Sequence, residues 1–485
     1  MYQINSGTMQ YDIVIGLEIH VQLNTQSKLF SSAPTAFGAP PNTQANLIDL
    51  AMPGVLPVLN EAAVRKAAIF GFAINATVAN HCVFDRKNYF YPDLPKGYQI
   101  SQLTHPIVQH GEIEIECDDG TFKTIQIERA HLEEDAGKSL HEDFAGMSGI
   151  DLNRAGTPLI EIVTAPVLSS AKEAVAYMKK IHSLVRYLGI SDANMQEGSF
   201  RCDANVSIKP KGQTALGTRT EIKNLNSFRF IEQAINYEVE RQQDLLAVGK
   251  TVVQETRLYD PDAGETRAMR SKETANDYRY FPDPDLAPVK LSEAYLAEIR
   301  SAMPELQASK IARYHAEYGI KHEDAVLLVE TYETAQYFES ASQQGNGKMV
   351  ANWMISDLLP SLKAEGLAIQ NAPITPPVFA QLIQCVNDGT ISGKAGKTVF
   401  SALWQGETDV QQVINDKGLS QMSDASELAA IVDEMLAAHG AQFEDFKQGN
   451  DKMMAFFVGQ MMKKTQGKAN PKLVNELIRK KASTS

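Results

Sequence analysis

Two stretches of strict two-residue alternation, each with short acids on its polar side, constrain this chain more than any other feature. In Tyr11–Leu23, Ile13, Ile15, Leu17, Ile19, Val21 and Leu23 take one face, and Gly16, Glu18, His20 and Gln22 take the other. That is the period of a strand with one face in a core. Phe200–Lys209 repeats the pattern, with Phe200, Cys202, Ala204, Val206 and Ile208 inward and Arg201, Asp203, Asn205 and Ser207 outward. A shorter stretch presents Arg219, Glu221 and Lys223 together. Asp and Asn are depleted in strands, so short acids inside them need a reason. Side chains two apart on one strand face stand about 6.5–7 Å apart, close enough for Glu18 and His20 to converge on one ion or substrate oxygen.

A further strand pattern begins at Ile125 and runs into His131-Leu132-Glu133-Glu134-Asp135-Ala136-Gly137-Lys138. Three consecutive acids repel one another unless a cation or solvent relieves them. Each acid taken singly fits a solvated turn or an outer strand face. As a set, Glu18, His20, one of the acids 133–135, Asp203 and Glu221 make a candidate divalent-metal site. Hard oxygen ligands favour Mg²⁺ or Mn²⁺, with substrate phosphates completing the shell. His20 fits Mn²⁺ better than Mg²⁺, or hydrogen-bonds a ligand instead.

The loop Asp85–Gln99 packs Tyr89, Phe90, Tyr91 and Tyr98 with Arg86, Lys87 and Lys96 and two prolines. Cations there can neutralise phosphate and aromatic faces can stack on a base, although such a loop can also dock its rings on its own domain. Tyr89–Pro95 and Tyr278–Pro284 share an aromatic-Pro-Asp pattern that reads as coincidence.

At 485 residues the chain is long enough for two or three domains. Alternation dominates up to about residue 290 and helical spacing takes over beyond Ser292, across a run with prolines at 282, 284 and 288. A weaker boundary falls near Gly406. The chain carries a net charge of −13, yet Lys452–Lys481 concentrates Lys452, Lys463, Lys464, Lys468, Lys472, Arg479, Lys480 and Lys481, a patch suited to a phosphate backbone. The four cysteines are far apart and form no C-x-x-C pair, which points away from disulfides and thiolate zinc. No stretch approaches the ~20 apolar residues of a membrane span, and the amino terminus lacks a secretory pattern, so a cytoplasmic protein with no membrane partner is expected. The stretch Ala67–Ala79 reads as a core helix, and the stripe from Ala171 to Leu188 as core packing. Gly396-Lys397-Thr398 lacks the leading glycine of a P-loop, and no G-x-S-x-G elbow or amidase nucleophile is present.

The motifs IGLEIHV at 15–21, FDRKNYFYPD at 84–93, HLEEDAGK at 131–138, DLNRAGTPLIEIV at 151–163, EGSFRCDANVS at 197–207, EIKNLNSF at 221–228 and DYRYFPDPDL at 277–286 together resemble the B subunit of the heterotrimeric aspartyl/glutamyl-tRNA amidotransferases. The resemblance spans nearly the whole chain and implies an α+β architecture. An antiparallel-sheet cradle with a kinase site would occupy residues 1–292, an all-helical domain 293–405, and a small helical, tRNA-gripping tail 406–485. It implies ATP-dependent phosphorylation of the side-chain carboxylate of Glu on tRNA(Gln) or Asp on tRNA(Asn), then displacement of phosphate by ammonia. The ammonia would come from an amidase-type glutaminase, the A subunit of such complexes, with a small C subunit wrapped between the two. By the same resemblance Glu18, His20 and Glu134 hold the metal, Glu133 being the alternative to Glu134, with Asp203 and Glu221 the other matching acids. Lys87, Arg86 or Lys223 would offset charge developing in phosphoryl transfer, and Tyr89, Tyr91 and Asn205 are candidates to hold the nucleotide. Some members bind zinc through two cysteine pairs in the segment matching Phe30–Pro53. Here that segment has no cysteine, so no structural zinc is expected.

Overall fold

The alternating stretch at 11–23 becomes the middle of a ten-stranded sheet in the computed structural model, which describes residues 4–6, 9–140, 146–271, 277–343, 346–422, 425–465 and 468–484. The chain divides into two units, Met1–Leu306 and Gln307–Ser485. The architecture is α+β: the sheet lies in the first unit, and the second is helical among the described residues.

In chain order the strands of the first unit are β1 (Ile4–Ser6), β2 (Met9–Gln22), β3 (Thr77–Val78), β4 (His81–Cys82), β5 (Asp85–Asn88), β6 (Tyr98–Ser101), β7 (Val108–Glu116), β8 (Phe122–Glu134), β9 (Lys138–Leu140), β10 (Gly149–Asp151), β11 (Pro158–Thr164), β12 (Phe200–Pro210), β13 (Thr220–Lys223), β14 (Glu255–Asp260), β15 (Glu265–Ser271), β16 (Phe281–Pro282) and β17 (Val289–Lys290). The large sheet runs β15-β14-β13-β12-β2-β11-β8-β7-β3, with β1 on β2, and a small sheet runs β16-β5-β6. Its described pairs are antiparallel except β13 with β14. That exception follows from the connection, because α3 (Phe228–Ala247) carries the chain from one to the other and a helical crossover returns the strand in the same direction.

One face of β2 buries Ile13, Ile15, Leu17, Ile19 and Val21. On the core they enter lie α2 (Ala171–Tyr187), through Ala174, Met178, Ile181 and Val185, and α3, through Ile231, Ala234, Ile235 and Val239. Ser170 and Ser227 start these helices by accepting the backbone N–H of Glu173 and Phe230. The opposite face of β2 and β12 carries mainly polar side chains, among them Glu18, His20, Gln22, Arg201, Asp203 and Asn205. The apolar stretch from Ala67 is only partly helical: α1 (Glu61–Ala73) ends before Asn75, whose φ of 54° turns the chain into β3.

A register shift in β8 decides which acids reach that polar face. Val163 of β11 pairs with Arg129 and Thr164 with Ile127, leaving Glu128 as an extra residue. Before the bulge Ile125 and Ile127 enter the core, and after it Ala130 and Leu132 do. Odd-numbered residues beyond it, His131 and Glu133, thus turn outward.

The first unit continues past Ser292, since α4 (Glu293–Ser301) packs on α1 and buries Leu296 and Ile299. In the segment Phe30–Pro53, Asp49 pairs with the fully buried Lys28 at 3.3 Å and accepts from Ser31 Oγ at 3.0 Å. The second unit has two separate cores. Tyr314 to Ile414 share one and Leu428 to Ile478 the other, so a tail boundary at 406 cuts off Val410, Val413 and Ile414 from the core they belong to. In the tail, Lys464 and Lys481 pair with Glu434 and Asp433, while Lys463, Lys468, Lys472 and Arg479 are exposed. No helix among the described residues is long and apolar enough to cross a membrane.

Candidate active site

Strand register sets the expected residues in rows across the polar face. His131 of β8, Glu161 of β11, His20 of β2 and Arg201 of β12 are successive cross-strand partners. In the next row Glu18 lies opposite Asp203, and one step further Asn205 lies opposite Glu221. The face opens on a cleft of about 490 Å³ whose lining includes His20, Lys87, Tyr89, Glu133, Asp203 and Lys223. A larger hollow of about 690 Å³ beside α1 and α4 is lined by Phe72, Val78, Leu296 and Arg300 and gathers no comparable acids.

The polar face carries two clusters rather than one. In the first, His20 Nε2 lies 3.5 Å from both Glu133 and Glu161. Behind them His131 Nε2 lies 3.3 Å from Glu161 and 3.7 Å from Glu133. One donor atom each from His20, Glu133 and Glu161 falls within 4.8 Å of the others, a spacing that one ion can span. The donor set, two carboxylates and an imidazole with substrate oxygens to follow, fits Mn²⁺ well and Mg²⁺ through its oxygens.

In the second cluster Asn205 Nδ2 donates to Glu18 at 2.8 Å, Lys223 bonds Asp203, and Thr256 Oγ1 donates to Glu221 at 2.7 Å. Lys223 Nζ also lies 3.6 Å from Glu221. Glu18, Asp203 and Glu221 therefore share the face with His20 but are already tied to donors of their own. Asp135, at the other end of the cleft, accepts from Gln22 and from Arg201, each at 2.9 Å.

Electrostatics follow from this packing. Burial disfavours a charged His20, but Glu161 and Glu133 outweigh it and raise its pKa. The same balance lifts His131 to about 9. Burial pushes Glu161 up, yet the two histidines carry it well below the usual carboxylate range, and Glu133 is lowered too. Burial also opposes charge on Lys87, and Glu133, Tyr280 and Glu161 overcome it, so its ammonium stays charged. Asp203 and Glu221 do the same for the Lys223 ammonium, again against burial.

Two expected residues face elsewhere. Glu134 points to the side opposite Glu133, where it bonds Lys96 and accepts the Ile100 N–H at 3.0 Å. The bulge at Glu128 is the cause, because it puts Glu133 rather than Glu134 on the His20 face. Arg86 and Lys87 alternate on β5. Lys87 faces the cleft, whereas Arg86 turns to Asp283 and Asp285, each at 2.8 Å, and covers the Tyr98 ring at 4.2 Å. Tyr89 lines the cleft, while Tyr91 is 49% exposed with its ring 5.9 Å from Tyr89. Asn205 is buried against Glu18.

Glu161 and His131 were not among the expected metal or catalytic residues. Glu161 lies in Leu159-Ile160-Glu161-Ile162-Val163, a run buried on both faces that shows no alternation. The available signal was a lone acid inside an apolar strand, which needs a buried partner.

The chain matches the family description "GatB/GatE catalytic domain" over residues 13–297 and "GatB domain" over residues 336–482. Curated relatives named as the B subunit of aspartyl/glutamyl-tRNA(Asn/Gln) amidotransferase are similar end to end. The one from Alkalilimnicola ehrlichii is 59% identical over 475 residues, covering 98% of this chain and 99% of its own. Those from Hahella chejuensis and Nitrosococcus oceani are each 57% identical, covering 98% of this chain and all of their own.

Proposed function

Since the chain belongs to the family of aspartyl/glutamyl-tRNA amidotransferase B subunits, we propose that its cleft uses ATP to phosphorylate the side-chain carboxylate of misacylated Glu-tRNA(Gln) or Asp-tRNA(Asn). Ammonia from a partner glutaminase then displaces the phosphate to give the amide. The overall reaction is that of a glutamine-dependent carbon–nitrogen ligase acting on tRNA. The observation that carries the reading is the convergence of His20, Glu133 and Glu161 within 4.8 Å, with His20 and Glu133 lining a cleft that also holds Lys87.

A carboxylate attacks a γ-phosphate poorly because both are anionic, so this site must cancel charge and align the reactants. A Mg²⁺ or Mn²⁺ ion held by His20, Glu133 and Glu161 would supply Lewis-acid charge toward phosphate oxygens. Lys87, which lines the same cleft, offers its ammonium to an equatorial oxygen of the transferring group. Asp203 and Glu221 hold Lys223 charged, and Lys223 can swing from Asp203 to an incoming phosphate. Glu18, with Asn205, completes the acidic wall beside His20. Tyr89 presents a ring at the cleft where a base can stack. The exposed Lys463, Lys468, Lys472 and Arg479 of the tail would neutralise phosphates of the tRNA backbone. The setting is a cytoplasmic heterotrimer that includes a small third polypeptide.

The test is an ATP- and glutamine-dependent amidation assay of the reconstituted complex with each charged tRNA. His20→Ala should leave glutamine hydrolysis largely intact and abolish amide and ADP formation. Full amidation by that variant at saturating ATP and Mg²⁺ would remove the cleft from the reaction. An adaptor that binds tRNA without phosphorylating it predicts no ADP dependent on this chain.

A further inference from the structure

Lys87 stands out in the cleft because, among the described residues, the interactions of its ammonium are with rings. Among the described residues its Nζ makes no hydrogen bond or ion pair, and it lies 5.0 Å from the centre of the Tyr278 ring and 5.9 Å from that of Tyr89. Glu133 and Glu161 are the anions that act on it most strongly. A flexible lysine in that position would fold onto them and occupy the oxygens that the proposed ion needs.

The ring that restrains it comes from a segment almost two hundred residues away. Phe281 pairs with Arg86 and Pro282 with Asp85, so β16 lies along β5. Asn88 closes one end: its backbone N–H and its Nδ2 both donate to the Tyr278 carbonyl at 3.0 Å, and Nδ2 donates to that of Arg279 at 3.0 Å. Arg86 closes the other by gripping Asp283 and Asp285 from the side of β5 opposite Lys87. Between the two clamps Arg279 adopts a φ of 46°, a conformation that a bulky residue holds only when its surroundings impose it. The result is a row of tyrosines, with Tyr278 in ring contact with Tyr89 and with Tyr280 at 6.1 Å each.

We propose that Tyr278–Asp285 is a strap that holds the Lys87 ammonium off Glu133 and Glu161 and presents it to an anionic substrate oxygen, with Tyr278, Asn88 and Arg86 as its positioning residues. The inference rests on the reading that the cleft binds a divalent ion and phosphate. It gives Arg86 a role that acts through Lys87 rather than through contact with substrate. A cation over an aromatic face gains enough to shift an equilibrium by about threefold to thirtyfold.

The test is Mn²⁺ titration of the full-length chain. Tyr278→Leu releases Lys87 onto the carboxylates and should weaken Mn²⁺ binding about tenfold, and Arg86→Gln should act in the same direction. Tyr278→Phe, which keeps the ring, should recover most of the loss. Adding Lys87→Met to Tyr278→Leu should restore affinity to at least the wild-type value, a result that general damage to the fold cannot produce. Unchanged affinity in Tyr278→Leu, or a loss that persists in the double variant, overturns the strap. If wild-type protein binds no Mn²⁺, the metal reading fails, and the same variants are compared by tRNA-dependent ADP formation in the complex. There, losses from Tyr278→Leu and Lys87→Met that simply multiply overturn the strap. Tight Mn²⁺ binding with the expected pattern but no ADP formation refutes the kinase reading and leaves the strap standing.

Discussion

Replacing Glu161 by Gln preserves the shape of the side chain and removes one charge from between two imidazoles. Its carboxylate lies 3.5 Å from His20 Nε2 and 3.3 Å from His131 Nε2. Unit charges about 4 Å apart interact by about 4 kcal/mol at an effective dielectric of 20. A share of that offsets the cost of keeping a carboxylate out of water, which leaves on the order of 2–3 kcal/mol available to a cation. At 1.4 kcal/mol per tenfold, Glu161→Gln should weaken Mn²⁺ binding about 30- to 140-fold by calorimetry. The same change removes the largest influence that raises His131, so its titration, followed by NMR, should move down from about 9 toward the ordinary imidazole value. Wild-type Mn²⁺ affinity in Glu161→Gln, with His131 still titrating near 9, would refute the placement of Glu161 at the centre of the site.

Glu133→Gln and Glu134→Gln should separate cleanly. The first lowers Mn²⁺ affinity and stops amide formation, whereas the second leaves Mn²⁺ binding intact and costs about 1–3 kcal/mol in urea unfolding, because it breaks a buried bond to Lys96. Equal Mn²⁺ losses in the two variants would count against the β8 bulge as the selector. For His131, whose folded pKa of about 9 exceeds the ordinary 6.5, the stabilisation is fully present below about pH 6.5 and is lost as pH rises through about 9. Metal-free protein should thus lose on the order of 3 kcal/mol of unfolding free energy across that window, and a flat profile would contradict it. Deleting residues 425–485, which leaves the core of Tyr314–Ile414 whole, should weaken tRNA binding and flatten its log–log salt slope by up to about four, one for each of Lys463, Lys468, Lys472 and Arg479. An unaltered slope would take the tail out of tRNA binding. Finally, Lys28→Met should destabilise the first unit by about 3–5 kcal/mol, since it strands the buried Asp49, and a double change of both residues should recover much of that loss.

How much of this site could be read from sequence depended on whether one strand face was solvated. On β2 and β12 one face is core and the other cleft, so period-two alternation placed Glu18, His20, Asp203 and Asn205 on one side, as the register has them. On β11 both faces are buried, alternation vanishes, and Glu161 looked like part of an apolar run. On β8 the difficulty was parity. Carrying the inward Ile125 and Ile127 forward turns Glu133 to the core and Glu134 to the cleft, and only the extra residue at Glu128 reverses this. A one-residue offset flips every later side chain, and it depends on pairing with a strand some thirty positions away. The strap had the same obstacle in stronger form. Tyr89–Pro95 and Tyr278–Pro284 look alike in sequence, but what joins them is Asn88 and Arg86 reaching across almost two hundred residues. Local chemistry can thus nominate Lys87 as a free cation, but what keeps it free is supplied by tertiary contact. For that reason the Lys87→Met rescue tests the strap more sharply than the loss of activity in any single variant.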